Sequence, residues 1–162
     1  MDRVQKLTAD PDYRRYLCVT AQYETERPFC RHDFNHLLDV ARIAWILCLQ
    51  RSIDIGQPVV YAAALLHDIG RFAQYEDKAV DHAAESARLA EPLLIKHGFA
   101  AAEISTILPA ITAHRLPPEQ VEDPFSAVLA EADDLSRRCF DCTAQKGCYK
   151  FDRMATAKGI RY

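Results

Sequence analysis

The stretch "PVVYAAALLHDIGR", residues 58–71, decides the reading of the fold. From Pro58, a residue suited to the first turn of a helix, the run is apolar or small on every side as far as His67, and Gly70 supplies a stop. A helix without a polar face belongs at the centre of a bundle. His67 and Asp68 then fall at the end of that buried helix, where a carboxylate without partners is strongly destabilising. Successive helical side chains diverge by about 100°, so the two can share a ligand only if it sits over the helix end between them. A metal ion meets that requirement; a neutral, hydrogen-bonded His-Asp pair in the core is the alternative.

Helical spacing of apolar residues continues on both sides of this stretch, and period-two alternation is hard to find anywhere, so the fold class is all-α. Upstream, a first helix is predicted within 11–26, opened by Pro11 and closed before Pro28. The next runs from Asp33 to about Leu49 and buries Leu37, Val40, Ala41, Ala44, Leu47 and Cys48, with Asp33 as its N-cap. Downstream, Asp81 caps a helix over 82–97 with a kink expected at Pro92. Further helices cover 101–114, ahead of Pro117 and Pro118, and about 124–138. "CFDCTAQKGCYKF" reads as a loop followed by a short helix. No internal repeat or linker divides the 162 residues, so one domain is expected, with its core over about 30–138.

One doublet cannot complete a metal site, and the same helices offer further ligands. His36 lies in a first turn at the edge of a buried stripe. His82 follows directly after its helix cap. His114 continues the stripe of Ile104, Ile107 and Ile111. In "AEADDLSRR", Asp133 lies at the margin of the stripe formed by Val128, Leu129, Ala132 and Leu135, whereas Asp134 points nearly opposite. The second doublet, His32-Asp33 in "RHDFNH", has a sufficient local explanation: Asp33 caps and His32 stays outside the helix. His97 is explained as a favourable charge near a helix C-terminus.

The net charge of −3 gives no reason to expect nucleic acid or an anionic membrane as an obligatory partner. No run approaches the ~18 apolar residues of a membrane span, and "MDRVQKLTAD" lacks the apolar stretch of a signal peptide, so a cytoplasmic location is expected. Five glycines form neither GxGxxG nor GxxxxGK[ST], so any phosphate must be held by side chains or a metal. Of the six cysteines, Cys139, Cys142 and Cys148 cluster as C-x2-C-x5-C, which lacks a fourth ligand. Free thiols are the preferred reading, with Cys30 the candidate to lend a fourth sulfur.

The order His36, His67-Asp68, His82, His114, Asp133, together with "HLLDVARIA", "ALLHDIGR" and "EADDLS", resembles the HD superfamily of metal-dependent phosphohydrolases. The resemblance covers roughly residues 30–138 and implies a helical bundle with the metal site where helix ends converge. It further implies a core metal site of His36, His67, Asp68 and Asp133. His82 and His114 match the extra histidines of two-metal branches, where the aspartate of the doublet bridges both ions. Arg71 matches a position where relatives often carry a basic residue that looks like a phosphate contact, and Arg115 and Arg137 are weaker candidates for that role. The expected cofactor is a divalent transition metal, two ions of Fe, Mn, Co, Ni or Zn, since imidazole and carboxylate ligands do not choose among them.

The expected reaction is hydrolysis of a phosphate ester, with Asp68 and Arg71 in the catalytic machinery and a small phosphorylated substrate such as a nucleotide or dinucleotide. A diiron oxygenase on the same scaffold and a non-catalytic binding module are the alternatives. Both enzyme readings need His82 and His114.

Overall fold

The computed structural model describes residues 1–162, and it contains helices and turns but no strand. Eight α-helices follow one another: α1 (Asp2–Ala9), α2 (Pro11–Tyr23), α3 (Phe34–Gln50), α4 (Gln57–Leu66), α5 (Arg71–Glu76), α6 (His82–Lys96), α7 (Ala101–Ala113) and α8 (Pro124–Leu135). Only short 3-10 turns follow α8. No helix is long and apolar enough to cross a membrane.

Aspartates open four of the helices. The carboxylates of Asp10, Asp33, Asp81 and Asp123 accept from the backbone N–H groups of Asp12, His36, Ala83 and Ser126. Each satisfies a donor that the helix itself cannot, which stabilises by about 1 kcal/mol. At α3 and α6 the cap also fixes the first turn, where His36 and His82 sit.

As its composition requires, α4 is central. Val59, Val60, Ala62, Ala63, Ala64, Leu65 and Leu66 are all buried, with α3 on one side, α7 on another and α1 and α6 completing the enclosure. One core of 31 buried residues joins these helices to α8.

Two expectations about this stretch change. The helix ends at Leu66, and His67–Gly70 forms a hydrogen-bonded turn into α5, a six-residue helix that the sequence pattern does not disclose. Gly70 is required for proximity rather than for a left-handed stop: its φ is −88°, and a Cβ there would lie 2.5 Å from the backbone nitrogen of Ser86. Gly70 N also donates to Ser86 Oγ at 2.9 Å, so the turn carrying His67 and Asp68 is clamped against α6. Pro92 lies inside α6, which continues to Lys96.

Candidate metal centre

Five histidines and two aspartates converge where the turn after α4, the first turns of α3 and α6, and the last turns of α7 and α8 meet. His36, His67, Asp68, His82 and His114 are buried, and Asp133 is largely so. Asp68 is the hub, and its two oxygens face different sets of rings. Its Oδ1 lies 3.2 Å from His82 Nε2 and 3.6 Å from His114 Nε2. Its Oδ2 lies 3.3 Å from His67 Nε2 and 3.9 Å from His36 Nε2. Asp133 Oδ1 joins the second set, 3.2 Å from His36 Nε2 and 3.8 Å from His67 Nε2. All six residues selected from the sequence as metal ligands are therefore brought together.

Each ring is held by its other nitrogen. His67 Nδ1 and His114 Nδ1 lie 2.6 Å from the carbonyl oxygens of Ala64 and Ile111, one turn back in their own helices. Nδ1 must be the protonated nitrogen there, because a carbonyl can only accept. His36 Nδ1 meets Ser136 Oγ at 3.0 Å, and that hydroxyl donates onward to Asp133 O. His82 Nδ1 lies 2.8 Å from Gln74 Oε1, supplied by α5. Every Nε2 thus points toward the carboxylates, the ring orientation that metal ligation needs, and that of His36 also lies 2.8 Å from Arg137 Nη2.

The surrounding charges keep both carboxylates ionised. Burial would raise the Asp68 and Asp133 carboxyls, yet both are held well below the ordinary carboxylate range, Asp68 by His67 and His32 and Asp133 by Arg137 and His36. Burial favours a neutral His67, but the carboxylates of Asp68 and Asp133 outweigh it and hold its pKa up. Burial and Arg137 push His36 down to about 4. Two buried atoms, His67 Nε2 and Asp68 Oδ1, have no hydrogen-bond partner. A buried donor or acceptor without one is costly, and a metal would satisfy both. Two groups, His36/His67/Asp133 and His67/Asp68/His114, already place three ligand atoms within 4.8 Å of one another. The residues fit the divalent metal that the resemblance implies.

His32 lies outside α3, as its local sequence suggests, yet the fold draws it into the centre. It is buried, its Nε2 lies 3.8 Å from Asp68 Oδ2, and its Nδ1 is hydrogen-bonded to the carboxylate of Glu24. Glu24, which carries no signal in the sequence, also accepts from His32 N (2.7 Å) and Tyr75 Oη (2.6 Å). Asp33 is the helix cap that was expected, and Asp134 is exposed.

The centre lies in a cleft of about 670 Å³ that also bears six cationic side chains: Arg27, Arg71, Arg115, Arg137, Lys150 and Arg153. Arg115 is paired with Asp81 at 2.8 Å and Arg137 with Asp133 at 3.0 Å. Arg71 forms no ion pair; its Nη1 donates to Gln74 Oε1 and lies 2.9 Å from His82 Nδ1. Residues after α8, among them Tyr149, Lys150 and Met154, complete the wall.

Comparison with known proteins agrees with this geometry. A family model described as HD domain matches residues 33–138. An uncharacterized protein of Clostridium beijerinckii is 34% identical over 148 residues, spanning 91% of this chain and 92% of its own length. The crystal structure of a predicted HD superfamily hydrolase from an uncultured Thermotogales bacterium is similar, with a TM-score of 0.58 and 28% identity. That likeness covers 75% of this chain and 66% of the Thermotogales chain, just under two thirds of it.

Proposed function

Because the chain belongs to the HD domain family, we propose that it is a metal-dependent phosphohydrolase acting on a phosphate ester, with nucleotides and dinucleotides as the leading substrate class. The observation that carries this reading is the division of Asp68: one oxygen faces His82 and His114, the other faces His36, His67 and Asp133, at the floor of a cleft bearing six cations. His36, His67, Asp68 and Asp133 would hold one divalent ion, and Asp68, His82 and His114 a second. Bound there, two such ions supply a hydroxide at neutral pH and neutralise charge on the phosphoryl group.

The chain's own residues do the rest. Arg71, without a carboxylate partner and beside His82, would hold a phosphoryl oxygen, and Arg115 lines the same cleft. The carbonyls of Ala64 and Ile111 keep His67 and His114 in the ligating tautomer. Tyr149, exposed on the rim, offers a flat apolar face to a base. The basic lining favours an anionic ester over the substrates of a diiron oxygenase, although both chemistries use the same ligands.

Metal-loaded protein should hydrolyse members of a panel of phosphomonoesters, nucleotides and dinucleotides, releasing inorganic phosphate from a monoester or a phosphomonoester from a dinucleotide, equally with and without dioxygen. Turnover that requires dioxygen, or no hydrolysis of any ester by protein carrying its metals, would overturn the reading. Replacing His82 and His114 together by Ala should reduce two bound ions to one. Unchanged stoichiometry would remove the second site.

A further inference from the structure

We propose that Cys30, Cys139, Cys142 and Cys148 form a four-thiolate structural zinc site that staples the segment after α8 onto the wall of the cleft. The inference is independent of the phosphohydrolase reading, since it concerns different ligands and a different metal chemistry.

The spacing C-x2-C-x5-C puts three thiols in ten residues of the tail, and the fold supplies the fourth from the irregular segment between α2 and α3. Cys30, Cys139 and Cys148 line the same cleft. Gly147, next to Cys148, approaches the ring of Phe29, next to Cys30; a Cβ on that glycine would lie 4.0 Å from the ring. Gln145 Nε2 donates to the carbonyls of Cys139 and Phe140, at 2.7 and 3.2 Å, and folds the loop back on itself. Ala144 N donates to Cys142 Sγ at 3.4 Å, a backbone contact that stabilises a thiolate. Burial first, and then Thr156 and the thiols of Cys30, Cys148 and Cys142, act on the Cys139 thiol, which is pushed up in net.

The tail needs such a staple. After α8 no helix exceeds four residues, and beyond Arg137 only Cys139, Met154 and Thr156 are buried. Ordering backbone costs about 1–2 kcal/mol per residue, which so little buried surface does not offset. Four soft thiolates around a tetrahedral zinc contribute folding energy directly. All six cysteines are free thiols, and the ligand sets already within 4.8 Å are the two histidine-aspartate groups. Closure therefore requires side-chain rotation, chiefly at exposed Cys30 and half-buried Cys142 and Cys148. Binding releases the four thiol protons and leaves a dianionic centre, with Arg137 within electrostatic reach of Cys30.

The test is cobalt titration of the reduced, metal-stripped full chain. A near-ultraviolet sulfur-to-cobalt transition should saturate at one equivalent, be displaced by zinc, and persist in His114→Ala and Cys18→Ser. It should disappear in the double variant Cys142→Ser/Cys148→Ser, and in Cys30→Ser, whose exposed position keeps the test valid if the double variant misfolds. A titration lacking the sulfur transition, its survival in those variants, or a disulfide among the four cysteines would overturn the proposal. Failure here would leave the ions of the histidine-aspartate site untouched, because those ligands give no sulfur transition.

Discussion

At the scale of single residues, the centre depends on Asp68, whose two oxygens answer five imidazoles, His32 among them. Asp68→Ala should abolish metal retention and lower turnover by at least ~100-fold while leaving the helical circular dichroism unchanged, because coordination is lost and not core packing. Metal content equal to that of the unmodified protein would refute the assignment. Glu24 acts one layer out. Its two oxygens accept from His32 N, His32 Nδ1 and Tyr75 Oη, and those contacts hold its pKa at about 2 against the opposing effect of burial. Glu24→Gln keeps one acceptor oxygen and turns an N–H toward donors, so metal affinity should fall by ~10–100-fold in a competitive chelator titration. Equal affinity would make the Glu24–His32 pair purely structural. These two residues also mark the limit of what the sequence discloses. The six candidate ligands are legible because each stands at a helix terminus or on the margin of an apolar stripe. His32 is hidden because the Asp33 cap already explains its surroundings locally, and Glu24 because Tyr75, 51 residues away, becomes its partner only in the fold.

The elements pose a different problem, that of holding helix ends in register. The turn from His67 to Gly70 meets α6 backbone to backbone. A Cβ added at Gly70 would stand 2.5 Å from Ser86 N and 2.9 Å from the carbonyl carbon of Glu85, neither of which can swing aside. Gly70→Ala should therefore destabilise by about 1–3 kcal/mol and lower metal affinity, as thermal melts with and without metal would report. A melting temperature equal to that of the parent would show that the turn has slack. At the opposite end of α6, Lys96 Nζ and His97 Nε2 each lie 2.8 Å from Asp10 Oδ2, in the joint between α1 and α2. Burial opposes ionisation of Asp10, but Lys96, His97 and the N–H of Asp12 lower its pKa from 3.8 to about 2. A depressed folded-state value contributes stability that is present above the unfolded value and lost as pH falls from about 4 to about 2. Asp10→Asn should accordingly cost about 1–2 kcal/mol at neutral pH, after allowing for screening at Lys96, with the difference closing by about pH 2. Parallel pH–stability curves would contradict this. Most helices are legible from period and caps, and their predicted limits fall within a few residues of those observed. Two helices are exceptions: α1, whose eight residues bury only Val4 and Leu7, and α5, which buries none of its six residues and so carries no apolar stripe to read.

For the molecule as a whole, charge is distributed against its sign. The chain carries −3 overall, yet the cleft gathers six cationic side chains with only four carboxylates, two of them at the metal centre. Lys150 and Arg153 come from the tail, far in sequence from the helices that carry the candidate metal ligands, and neither forms an ion pair. If the substrate is a phosphate ester, they act on its approach and its hold rather than on bond cleavage. Exposed charges of this kind are screened beyond about 8–10 Å at ordinary salt, so their effect must depend on ionic strength. Replacing both by Met should raise KM by about 10-fold with kcat nearly unchanged, the signature of binding shared by ground and transition states. The decline of kcat/KM with added salt should also be shallower than in the parent. A fall in kcat with unaltered KM would instead place the two side chains at the reacting phosphoryl group, and an unchanged salt slope would detach the tail from substrate capture altogether.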